Sequence, residues 1–207
     1  MASSVSSTSV SIPALPEIPH LPPAPDGRVR FSREAYHRMF EIGVLDRDER
    51  FELLDGDVVM MSPIGPDQGA IIRRLMDFFA GALPSSIACS IQLPIVVNDY
   101  SEPEPDVVLM RRREDDYRGG HPRPSDVLLV IEVAQSSLPR DRGEKMRIYA
   151  QSTIPEYWIV DVEHRVVIVH RDPGPLGYAD VQQFKAGAII APQAAPECRL
   201  ELGWLFR

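Results

Sequence analysis

The chain has 207 residues and 23.2 kDa, with 44% hydrophobic and 25% charged residues, enough apolar content for one core of ordinary size. Thirty acids against 22 bases give a formal charge of −8, which excludes surface-wide electrostatic capture of nucleic acid and demands a local basic site for any acidic substrate. Two cysteines, Cys89 and Cys198, offer neither zinc-ligand spacing nor a disulfide framework, and no apolar run nears the roughly 18–20 residues that cross a bilayer, so a cytoplasmic protein without membrane contact is expected. Twenty of the 22 bases are arginine, and the two lysines are Lys145 and Lys185.

Residues 1 to 27 hold six prolines, a Ser/Thr-rich opening and no Lys or Arg, the composition of a disordered tail. Residues 28 to 207 are expected to form one domain. Ser32 before Arg33-Glu34-Ala35 predicts a capped helix with Tyr36, Met39 and Phe40 on one face, ending at Gly43. Two strand-like runs, 51 to 54 and 57 to 61, flank Asp55-Gly56, a strong hairpin signal. Beyond Pro63 and Pro66, the spacing of Ile71, Ile72, Leu75, Phe78, Phe79 and Ala82 predicts a second amphipathic helix. Three strand-like apolar runs follow, at 87 to 97, 106 to 110 and 127 to 133, the last two apolar enough for central strands. A helix from about 140 to 151 precedes a further hairpin, 156 to 161 with 166 to 170. This order predicts an α/β (α+β) fold with a mixed sheet.

No Gly-x-Ser-x-Gly elbow, His-Glu-x-x-His pair or phosphate-cradling glycine loop is present, and the five histidines are scattered. The remaining candidates are carboxylates at strand ends. Asp106 opens a strand after Pro105, a position where an acid is ordinarily a solvated cap. Glu132 lies inside the apolar run 127 to 133, where a charge is costly unless paired or metal-bound. Two carboxylates at adjacent strand ends suit Mg²⁺, which takes one or two carboxylates plus waters and phosphate oxygens. Lys145, at the edge of the apolar face of the following helix, can supply a compact charge that orients or deprotonates a water, which a guanidinium does poorly.

Glu52-Leu53-Leu54-Asp55-Gly56-Asp57, Pro105-Asp106-Val107-Val108, Ile131-Glu132-Val133-Ala134, Asp141-Arg142-Gly143-Glu144-Lys145 and Pro155-Glu156-Tyr157-Trp158-Ile159-Val160-Asp161, in this order, resemble the Uma-two family of candidate restriction endonucleases, within the PD-(D/E)XK nuclease superfamily. The resemblance spans roughly residues 30 to 205 and implies a restriction-endonuclease-like mixed central sheet flanked by helices, with additional β-hairpins. It implies Asp106 and Glu132 as metal ligands, the Val133 carbonyl as a third, and Glu52 as an upstream acid that binds metal or orients its water. Lys145 stands in for the lysine that the superfamily pattern puts where this chain has Ala134. The implied activity is Mg²⁺-dependent hydrolysis of DNA phosphodiesters, with Mn²⁺ as a substitute cation and a homodimer as the working unit. Arg142 and Tyr149 are the expected substrate contacts, with a salt bridge to a neighbouring acid as the other reading of Arg142. Arg73-Arg74, Arg111-Arg112-Arg113 and Arg140-x-Arg142 are the basic groups available to DNA. The alternatives are a catalytically inactive nuclease-fold module for DNA binding or oligomeric interaction, and a hydrolase of another phosphate ester.

Overall fold

The computed structural model describes residues 27 to 207; the expected tail lies, except for Gly27, outside the described residues. Helix α1 (Arg33–Glu41) starts where the Ser32 hydroxyl accepts a hydrogen bond from the Ala35 N–H at 3.2 Å. Strands β1 (Phe51–Leu54) and β2 (Asp57–Met60) form the expected hairpin. Asp55 and Gly56 at its tip both have positive φ, 48° and 88°, as a two-residue turn matching the strand twist requires. Helix α2 (Pro66–Ala82) buries Ile71, Ile72, Leu75 and Phe79 against the main sheet, the stripe its spacing forecasts.

That sheet has six strands in the order β3 (Ile87–Ile91), β4 (Val107–Arg111), β5 (Val127–Ala134), β6 (Glu156–Asp161), β7 (Val166–Gly174) and β8 (Gly177–Lys185). Only β5 and β6 run parallel; every other neighbouring pair is antiparallel. A parallel pair needs a crossover. Here it consists of α3 (Leu138–Arg140), a π-helical turn over Asp141–Lys145, and α4 (Met146–Gln151). A small β9–β10 pair (Ile189–Ile190, Leu200–Glu201) and α5 (Leu202–Leu205) complete the chain.

Alternation along the central strands divides the core in two. Val107, Leu109, Leu129, Ile131, Val133, Trp158 and Val160 pack with α2 and α5. Val108, Met110, Val130, Tyr157 and Ile159 pack with α4, Leu54 and Ile95. The period of two therefore sends Glu132, in phase with Val130, and Asp106, in phase with Val108, towards the crossover helix.

Two expectations need correction. The run 87 to 97 is not one strand: β3 stops at Ile91, because Gln92 takes a left-handed φ of 50° and Pro94 has no N–H to give a ladder. Ile95, Val96 and Val97 stay buried in a loop whose N–H groups bond elsewhere, Ile95 to the Pro103 carbonyl and Val96 to the Pro122 carbonyl. The helix expected over 140 to 151 is interrupted by the π turn, which changes the direction in which Lys145 leaves the backbone.

Candidate active site

The antiparallel register of β4 and β5 sets Val107 opposite Ile131, so one step further Asp106 comes across from Glu132. Two acids on one face of neighbouring strand ends are thus a consequence of register. Asp106 Oδ2 accepts hydrogen bonds from the Val133 N–H at 2.8 Å and from the Gln68 amide, on the first turn of α2, at 3.4 Å. Burial pushes the Asp106 carboxyl above the ordinary aspartate range, against the opposing pull of the Val133 N–H and the Lys145 charge.

Glu132 is buried, and burial raises its carboxyl well above the usual glutamate range, with Lys145 opposing and Asp141, Asp106 and Glu52 adding to the rise. Its Oε1 accepts from Lys145 Nζ at 3.0 Å and from the Tyr149 hydroxyl at 2.8 Å. Lys145 also meets Glu52 Oε2 at 2.8 Å, and the same Glu52 oxygen accepts from the Glu104 N–H at 3.4 Å. Glu52 comes from β1, Glu132 from β5 and Lys145 from the crossover, so three separate segments close on one ammonium. Desolvation alone would lower the Lys145 pKa, but Glu132, Glu52 and Asp141 outweigh it and raise it above its ordinary value. The ammonium form of Lys145 is favoured in this setting, which suits a side chain that supplies a compact positive charge to the cleft.

These residues line a cleft of about 280 Å³ together with Met61, Ser62, Gln68, Ser136, Ser137, Pro139, Arg140 and Asp141. Four buried acids, Glu52, Asp106, Glu132 and Asp141, share it with one buried lysine. Among the described residues no group of three or more His, Cys, Asp or Glu is gathered closely enough to hold a metal ion alone. The arrangement is instead a pair of hard oxygen donors, Asp106 and Glu132. Such a pair fits Mg²⁺, which completes its shell with water and substrate oxygens.

The remaining sequence candidates separate. Val133 meets Asp106 through its N–H. Tyr149 is fully enclosed and its hydroxyl donates to Glu132, because the helical spacing of 145 and 149 points both side chains at the same carboxylate. Arg142 projects away from the cleft and lies 3.8 Å from Asp161 Oδ2. Arg140, two residues earlier, lines the cleft, and its guanidinium makes no hydrogen bond or ion pair with the described residues. Much of the other basic character is structural. Arg74 binds the carbonyls of Leu205 and Arg207, Arg112 those of Ser85 and Ile87, and Arg113 the Asp115 carboxylate.

Gln68 and Asp141 were not singled out from the sequence. Gln68 carried no signal, being one polar residue on the first turn of an amphipathic helix. Asp141 stood within the Asp-Arg-Gly-x-Lys block, and its distance of four residues from Lys145 was the clue that both face one site.

A model of the Uma2 family, described as "Putative restriction endonuclease", matches residues 33–203. No curated protein matches the chain. Among solved structures, the "putative nuclease belonging to DUF820 from Anabaena variabilis ATCC 29413" superposes with a TM-score of 0.65 at 15% identity, over 85% of this chain and 97% of that one, a likeness that shows a shared fold. With the family model covering most of its length, the chain belongs to the Uma2 family.

Proposed function

We propose that the chain is a Mg²⁺-dependent endonuclease that hydrolyses DNA phosphodiesters in the cleft between β1, the β4 and β5 strand ends and the crossover turn, with Mn²⁺ able to replace Mg²⁺. The observation that carries this reading is Lys145, clamped between Glu132 at 3.0 Å and Glu52 at 2.8 Å in a cleft that also holds Asp106. That combination joins oxygen donors for a hard cation to a fixed positive charge for a phosphoryl group. When bound at Asp106 and Glu132, the cation supplies Lewis-acid stabilisation of charge on the phosphoryl oxygens.

The chain's own residues do the rest. Lys145 offsets the charge that builds on phosphorus-bound oxygens in the transition state, from a position fixed before substrate arrives. Glu52 holds the ammonium from the side opposite Glu132. The Val133 N–H and the Tyr149 hydroxyl fix the orientation of Asp106 and Glu132, as outer partners of ligating carboxylates do. Arg140 at the rim takes a backbone phosphate. Cutting both strands of a duplex calls for two such clefts, hence a homodimer. The free thiols of Cys89 and Cys198 suit a reducing cytoplasm.

The test is conversion of supercoiled plasmid to open circle by the wild-type chain in MgCl₂ and in EDTA, with a phosphomonoester and a small phosphodiester assayed beside it. Cutting in MgCl₂ alone is expected. Hydrolysis of the small esters with intact plasmid would move the reading to another phosphate ester, and no turnover of any of them would leave only the fold.

A further inference from the structure

Gln92 sits in a backbone conformation that its own chemistry does not favour. Its φ is 50°, in the left-handed region where a side chain is costly and glycine is not. Ending β3 does not require a glutamine, because glycine would take this φ freely and Pro94 already denies the ladder an N–H. A strained position filled by a long polar side chain points to a use for that side chain. The backbone shows where it is anchored. The Gln92 N–H donates to the Pro105 carbonyl at 3.1 Å and to the Asp106 carbonyl at 3.2 Å, which ties the residue to the strand end that carries Asp106.

Register accounts for the direction of the side chain. Ile91 of β3 lies opposite Val107 of β4, so one step further Gln92 comes opposite Asp106, just as Asp106 comes opposite Glu132 between β4 and β5. Opposed residues of an antiparallel pair present their side chains on one face, which makes Gln92, Asp106 and Glu132 a polar row across three strand ends. At the end of that row the Gln92 carboxamide is a side-chain hydrogen-bond partner of the Asp106 carboxylate. Asp106 is thereby held from three elements: the Val133 N–H of β5, the Gln68 amide of α2 and the Gln92 amide beyond β3. Gln92 is not part of the cleft lining, so what it contributes to the site passes through Asp106.

We infer that Gln92 is a positioning residue: its carboxamide fixes the Asp106 carboxylate in the orientation that binds the cation, and the left-handed backbone is retained for that contact. This rests on the reading of Asp106 as a metal ligand. With one carboxylate oxygen taken by Val133 and Gln68 and a further donor arriving from Gln92, the carboxylate cannot swing freely, so its remaining lone pairs are aimed before a cation arrives. A carboxamide suits the task because it donates without charge. An arginine or lysine in its place would compete with the cation for the carboxylate, and an acid would add a further negative charge to the row.

The experiment takes the full-length wild type, Gln92→Gly and Gln92→Leu, and measures melting temperature, MnCl₂ affinity by calorimetry and plasmid nicking against MgCl₂ concentration. Glycine accepts the positive φ and removes the carboxamide, whereas leucine keeps the bulk without a donor. Gln92→Gly should keep the wild-type melting temperature to within about 4 °C, because relief of the strained φ offsets the extra chain entropy of glycine. Both variants should bind MnCl₂ about 10-fold or more weakly, the usual effect of removing an outer partner of a ligating carboxylate. Nicking should fall at low MgCl₂ and recover towards wild type as MgCl₂ saturates, a split that loss of folded protein would not give. MnCl₂ affinity within about threefold of wild type in either variant overturns the inference. A Gly variant that no longer folds overturns it too, since Gln92 would then be architectural. A wild type that binds MnCl₂ but cuts no DNA overturns the endonuclease reading alone, and one that binds no MnCl₂ overturns both.

Discussion

At the scale of single residues the cleft is governed by a shortage of positive charge. Lys145 pairs with both Glu52 and Glu132, which are nearly inaccessible to solvent, so removing it leaves buried acids without their cation. Lys145→Met should therefore destabilise the chain by about 3–5 kcal/mol, read as a loss in chemical unfolding. Asp141 has the opposite sign. Its carboxyl is raised from 3.8 to about 6 by folding, so the folded chain binds that proton more tightly than the unfolded one. The resulting penalty is absent below about pH 4, grows as pH rises through the window to about 6, and is complete above it. Asp141→Asn should thus be more stable than wild type at pH 7.5, by on the order of 1–3 kcal/mol, with the difference vanishing near pH 4. An equal effect at both pH values would show that the Asp141 charge is not what burial penalises. The sequence exposed Glu132 and Lys145 because a charge in an apolar strand and a rare lysine are conspicuous in one dimension. It did not separate Arg140 from Arg142, since which of two alternate arginines reaches a cleft depends on the local turn.

At the scale of elements, periodicity carried the reading where it was regular. The β1–β2 hairpin, α2, the central strands β4 and β5 and the β6–β7 hairpin follow from turn residues and apolar spacing. The π turn did not, because its one-residue change of phase leaves no mark on composition. Nor did the break at Gln92 to Pro94, after which Ile95, Val96 and Val97 remain buried without forming a ladder. The β7–β8 pairing was likewise missed: β8 is mostly exposed along 179 to 185 and lacks the clean alternation that advertises a strand. The π turn offers a test of its own. A Cβ added at Gly143 meets nothing within 4 Å, and Gly143 does not have the positive φ that would strain another residue. Gly143→Ala should stabilise the chain by about 0.5–1 kcal/mol and leave the geometry of Lys145 unchanged. A loss of stability would mean the turn depends on a glycine-specific conformation.

At the scale of the whole molecule, the −8 charge and the DNA substrate are reconciled by position. Four of the acids, Glu52, Asp106, Glu132 and Asp141, lie in the cleft proposed to take a cation, and several arginines that looked available for DNA are held by backbone carbonyls instead. Arg140 remains at the rim. Arg140→Ala should weaken binding of duplex DNA about equally across sequences, reduce the slope of log affinity against log salt by about one, and leave stability unchanged. Undiminished affinity and slope would place the DNA elsewhere. Among the described residues no helix is long and apolar enough to cross a membrane.

The account depends most on the claim that one cleft, built from two strand ends and a crossover turn, does the cutting. Asp106→Asn tests it with little structural disturbance, because the amide oxygen still accepts the Val133 N–H while the ligand charge is gone. Measured as the rate of plasmid nicking in MgCl₂, at matched thermal stability, the variant should be at least about 100-fold slower than wild type. Nicking within threefold of wild type would contradict the claim.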